Sequence, residues 1–189
     1  ERRCLSRGVY PLKQNEGKRI FSDVLSMIGI ITIGLTVAIF VYPFLHESGH
    51  SIAAFAVGAE IKEFCILPVP YVMCNVEFLT NGQQIFIGVS GVLFPLFVSL
   101  VPPRRWFWSW YIRFLLMGIS LLSFVISAVT LVLPNGGQLN PQDDMLQVLD
   151  LWTASPAWLP LILSVMCIAT VIIILRDKPH RMICKRFGI

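Results

Sequence analysis

Residues 37–57 read VAIFVYPFLHESGHSIAAFAV. The run is apolar at both ends and polar at its centre, where His46, Glu47, Ser48 and His50 sit among Phe, Leu, Ile and Ala. It continues an apolar stretch that begins near Val24. About 20 such residues cross the hydrocarbon core of a bilayer. Ionisable groups within a segment of this kind are costly, so they are usually kept for a function.

The rest of the chain agrees with a membrane setting. Of its 189 residues, 56% are hydrophobic and only 14% are charged. The mean hydropathy is +0.73. A soluble domain of this length needs more polar surface than that. Four stretches qualify as spans: about Val24 to Tyr42, continuing less purely to Val57; Ile85 to Val101; Tyr111 to Leu133; and Ala157 to Leu175. The first is too long for one straight span, and Pro43 is expected to kink it by removing a backbone donor. Residues 61–80, IKEFCILPVPYVMCNVEFLT, are β-rich with prolines at their middle, which predicts a hairpin or re-entrant loop. The expected fold is therefore an all-α polytopic membrane protein of about four transmembrane helices, with a small β-hairpin or re-entrant segment after the first. Residues 1–23 form a basic N-terminal segment, 24–175 the membrane domain and 176–189 a basic tail. No removable signal peptide is expected, because the first apolar run is too long and lacks a cleavage pattern.

Charge orients the spans. All of the 15 Lys and Arg residues except Lys62 fall in the N-terminal segment, in the link at Arg104, Arg105 and Arg113, or in the tail from Arg176. Basic residues stay in the cytoplasm. Both termini are thus expected inside, most simply in the cell membrane, with residues 59–83 and 134–155 facing outward. The aromatics Trp106, Trp108, Trp110 and Tyr111 suit an interfacial belt. The basic segments would also meet anionic lipid headgroups.

His46 and His50 are four residues apart and share one face of a helix. Two imidazoles so placed can bind one Zn²⁺, with Glu47 beside it to take a proton from a metal-bound water and return it to a leaving amine. The bland alternative is a helix end where these side chains merely meet water. Zinc needs a third protein ligand. Asp143 and Asp144 are the best candidates, because the charge-derived topology puts them on the His46 side. They could instead be solvated loop acids or a helix cap before Met145–Leu151. His180 is the other histidine, but it lies in the basic tail.

Two further patterns stand in the sequence. Gly88-Val89-Ser90-Gly91 matches the GxSG of rhomboid serine proteases, but Ser90 lacks a histidine partner other than His180. Small-residue helix packing explains it better. Cys65 and Cys74 flank the Pro68–Pro70 turn and would be either a hairpin disulfide or two free thiols.

Residues 44–64, FLHESGHSIAAFAVGAEIKEF, resemble the site-2 protease family of intramembrane zinc metalloproteases, with Gly58 at the glycine that follows the helix. GVSGVLFPL (88–96) and LVLPNGGQLNPQDDMLQVL (131–149) are similar to two later family segments. Gly91, Pro134 and Asp144 match. Val92, Phe94–Pro95, Leu131 and Met145 depart from the pattern. The resemblance covers about residues 37–150. It implies a zinc endopeptidase that cleaves membrane-embedded or membrane-adjacent peptides, with His46, His50 and Asp144 on the metal and Glu47 as base. A substrate strand is expected to add to the 61–80 segment. The departures keep a second reading in view, a metal-binding membrane scaffold that binds peptides without cutting them.

Overall fold

The computed structural model describes residues 13–67, 70–103, 105–133, 144–152 and 158–178, together with 182 and 184. His180, Asp143, Pro134 and Pro68, all named above, lie outside them.

Hydropathy becomes helix nearly where the sequence places it. The elements are α1 (Lys13–Thr36), a π-helical turn (Val37–Val41), α2 (Tyr42–Ala56), β1 (Glu60–Cys65), β2 (Tyr71–Asn75), α3 (Asn81–Ser99), α4 (Phe107–Val132), α5 (Asp144–Leu151) and α6 (Trp158–Arg176). Four stretches are long and apolar enough to cross a membrane: Ile20–Ala56, Asn81–Ser99, Phe107–Val132 and Trp158–Arg176. Their length and composition are those of a multi-pass membrane protein. The ends differ from expectation by a few residues because caps, not hydropathy, set them.

By its contacts the chain falls into two units, residues 1–33 and 34–189. The described part of the first is helix only, with Ile20, Phe21, Leu25, Met27 and Ile31 more than half exposed, as lipid-facing residues are. Everything below concerns the second unit.

Pro43 has no N–H to offer the carbonyl one turn back. The turn ahead of it is wound as π-helix, so the expected kink takes the form of a widened turn. After α2, Gly58 adopts a left-handed φ of 81°. Gly58 N–H donates to Phe55 O (3.1 Å) and Ala59 N–H to Ala54 O (2.9 Å), the pairing of a Schellman stop. The chain then turns into the antiparallel hairpin of β1 and β2. The register slips between Ile61 and Glu63, leaving Lys62 as a bulge. Thr80 caps α3 in a reciprocal box with Gln83.

One core cluster joins α3, α4, α5 and α6 through Val92, Leu96, Met117, Phe124, Met145, Val148, Leu159 and Leu163. A smaller one joins α2 to α3 through Ala53, Ala54 and Ile87. Small residues set the helix spacing. A Cβ on Gly49 would lie 2.8 Å from Phe94 Cβ and would strike the Ser90 carbonyl. A Cβ on Gly88 would lie 2.7 Å from Val148 Cγ2 of α5. The GxSG pattern is thus a packing surface, and the Ser90 hydroxyl donates to Phe86 O of its own helix (2.6 Å).

At the opposite end of α3, Arg113 of α4 is buried. Its Nε donates to Asp177 Oδ2 just after α6 (2.8 Å), and its Nη1 to Ser99 O (3.2 Å) and Leu100 O (3.0 Å). Sequence reasoning used Arg113 only as a topology charge and missed this pair. Nothing local announces Asp177 as its partner.

Candidate metal centre

The α2 spacing delivers both histidines to one face. Their ring centroids are 4.8 Å apart at an interplanar angle of 81°. Asp144, the first residue of α5, reaches them from across the unit. Its Oδ2 lies 2.9 Å from His46 Nε2 and 3.2 Å from His50 Nε2, and the two Nε2 atoms are 3.2 Å apart. Three donor atoms on a tetrahedral zinc, each about 2.0–2.1 Å from it, would be separated by about 3.3 Å. The three edges are close to that value, so His46, His50 and Asp144 form a group able to hold a metal ion. Asp144 is the aspartate of the pair that the structure describes, and it belongs to this group.

The surroundings fit the same use. The Nδ1 of His50 lies 2.8 Å from the carbonyl of Ile87 in α3. Donating there, it leaves the Nε2 lone pair free for a cation. Gly91 provides the space for the ring, since a Cβ at that position would collide with His50 Nε2. Burial alone would push the Asp144 carboxyl up, but without a cation hydrogen bonds donated by the two imidazoles hold it well below the usual carboxylate range; a cation would take the place of those protons. Gly91 is the eleventh residue of the 19-residue helix α3. At about 1.5 Å per residue the centre therefore sits roughly 12–15 Å from either end of that helix.

A cavity of about 630 Å³ opens beside the centre, lined by Glu47, His50 and Asp144. One wall is β2, where Tyr71, Val72, Met73 and Cys74 contribute to the lining. Ile87 and Gly88 of α3 form a second wall, and Gln147, Val148 and Leu151 of α5 a third. Glu47 is the residue next to the first histidine, so it projects beside the metal ligands rather than among them. The Val72 backbone hydrogen-bonds its carboxylate. The hairpin is two-stranded, so β2 has one edge free of sheet pairing.

Cys65 pairs across the hairpin with Tyr71, and Cys74 with Ile61. They stand at opposite ends of the ladder, and both are free thiols. Burial pushes the Cys74 thiol up, and Cys74 is not among the residues whose donor atoms converge.

Sequence reasoning missed Ile87, Val72 and Gln147. The first two act through backbone atoms, which carry no residue signature. Gln147 stands three residues after Asp144, a spacing that puts both on one helical face once α5 is known. Compared with family models, with curated proteins and with solved structures, the chain matches none.

Proposed function

We propose that this protein is a zinc-dependent endopeptidase that cleaves membrane-embedded or membrane-adjacent peptides. The observation that carries the reading is the convergence of His46, His50 and Asp144, with Glu47 and a peptide-sized cavity beside them. Zinc is favoured over other divalent ions because the donors are two imidazoles and one carboxylate with an open side. A bound zinc would supply Lewis acidity, lowering the pKa of water and polarising a carbonyl.

The chain's own groups do the rest. Glu47 takes a proton from the attacking water as its oxygen bonds to the scissile carbonyl carbon. The same carboxyl then gives that proton to the amide nitrogen as the C–N bond breaks. One new carboxyl and one new amine result. The free edge of β2 offers backbone donors and acceptors to an extended substrate strand, and Val72 lies beside the base. A position halfway along α3 favours cleavage within the bilayer over cleavage at its surface.

Orientation follows the charges. Arg113 ties the ends of α3 and α6 to the start of α4, so Arg105, Arg176 and Lys178 share one end of this unit. That supports a cytoplasmic C-terminus and a hairpin on the outer side of the cell membrane, and the basic residues of the N-terminal segment argue for a cytoplasmic N-terminus by their charge.

The test is purification in detergent with zinc quantification and cleavage of a quenched peptide. Wild type should hold about one zinc per chain. Glu47→Gln should keep the zinc and lose cleavage by about 10²–10⁴-fold. Equal cleavage by both proteins would end the mechanism. Stoichiometric zinc without cleavage by either would favour the peptide-binding scaffold.

A further inference from the structure

The cavity has few side chains able to donate a hydrogen bond to a peptide. Tyr71 is one, but its hydroxyl is committed to Glu63 Oε1 at 2.6 Å. Gln84 is another, but its Nε2 is held by Val76 O (3.3 Å) and Leu79 O (3.1 Å), where it closes the turn before α3. Cys74 is a weak donor. Gln147 remains. It lines the cavity, it is exposed, and it makes no hydrogen bond among the described residues.

Its place on α5 is also informative. Asp144, Gln147, Val148 and Leu151 all line the cavity, at the i, i+3, i+4 and i+7 spacing of one helical face. Val148 is buried against Gly88, which fixes the rotation of the helix about its axis. With Asp144 on the metal side, Gln147 stands one turn further along the same wall. Residues three apart on a helix have Cβ atoms about 5–6 Å from each other. A glutamine side chain spans that gap.

We infer that the Gln147 carboxamide donates a hydrogen bond to the carbonyl oxygen of the scissile peptide and stabilises it as negative charge develops there. This rests on the endopeptidase reading above. Hydrolysis raises charge on that oxygen, and a pre-placed neutral donor stabilises it without adding charge to a low-dielectric site. A neutral amide suits the place better than Lys or Arg, because a cation here would compete with the metal for Asp144 and Glu47.

The test compares wild type, Gln147→Met and Gln147→Glu as full-length protein in detergent. Met keeps the length and removes the donor, while Glu keeps the shape and offers only acceptors when ionised. Both variants should retain about one zinc per chain and the wild-type thermal midpoint. Both should lose kcat by about a hundredfold to a thousandfold, with KM little changed. Binding gives a readout apart from turnover. A phosphinic peptide, whose tetrahedral anionic centre mimics the reacting carbonyl, should bind Gln147→Met at least about tenfold more weakly than wild type. The matching amide peptide should bind the Glu47→Gln protein equally well with and without Gln147→Met. Unchanged kcat and unchanged phosphinic-peptide affinity would overturn the assignment while leaving the parent reading intact. Loss of zinc in both Gln147 variants would overturn it in favour of a structural role. A wild type that holds zinc but never cleaves would overturn both inferences, and Glu47→Gln identifies that case separately.

Discussion

His50 carries more of the site than its spacing in the sequence conveys. It offers Nε2 to the centre, bonds Ile87 O through Nδ1, and occupies space left open by Gly91. Gly91→Ala is therefore expected to act as a metal-site mutation, although Gly91 carries no donor side chain. The new methyl group must displace the imidazole, so zinc content should fall well below one per chain. The overpacking should cost about 1–3 kcal/mol of stability as well. Metal analysis beside a thermal melt in detergent checks both, and full zinc occupancy in Gly91→Ala would count against this geometry. At this scale much of the site was legible. The i, i+4 histidines and the adjacent glutamate state their chemistry in five residues. Charge topology narrowed the third ligand to Asp143 or Asp144, and the resemblance favoured Asp144. The Gly91–His50 fit was not legible as a contact, since it depends on how closely two helices approach. That approach is set by Gly49 and Ser90 as much as by either partner.

Among the elements, the connection from α2 to β1 deserves the closest reading. A Schellman stop at Gly58 ends α2 and starts the strand that carries the hairpin to the cavity. Gly58→Ala forces a left-handed φ on a residue with a Cβ, at about 1–2 kcal/mol. The expected result is a lower thermal midpoint and a raised KM for peptide, with zinc content unchanged, because α2 itself is intact. A kinetic comparison beside metal analysis measures it, and a wild-type KM would show that the hairpin takes no part in peptide binding. The helices were readable because hydropathy needs no partner. The hairpin was readable from its β-branched and aromatic composition. Its register was not, because the bulge at Lys62 depends on pairing rather than on local sequence. The same register removes the disulfide that the Cys65 and Cys74 spacing allowed.

For the whole molecule, one buried ion pair holds three helix ends together. Arg113 and Asp177 are 64 residues apart in sequence, and their side chains are only 3% and 1% exposed. Removing one partner leaves a charge with no water to meet it. Arg113→Met should thus lower stability by about 3–5 kcal/mol, whereas Arg113→Met with Asp177→Leu should recover much of the loss. A double-mutant cycle read by unfolding in detergent checks the coupling. Additive losses would argue that the pair is incidental. The sequence could not reveal it, since Arg113 fits the cytoplasmic charge count whether or not it has a partner. Charge at the other site has a different consequence. Glu47 and Asp144 line one cavity with His50, and a divalent cation held there would offset their two formal charges. Without the cation, two carboxylates share one cavity in an apolar bundle. If the proposed zinc reading holds, metal acquisition is a maturation step as well as a condition for turnover. Chelation should lower the thermal midpoint, and added zinc should restore it in a concentration-dependent way. The shift should be smaller in Glu47→Gln, where one of the two charges is already gone. A chain that leaves the insertion machinery before meeting zinc would accordingly be loosely packed and short-lived, so its abundance in the membrane should track the supply of the metal.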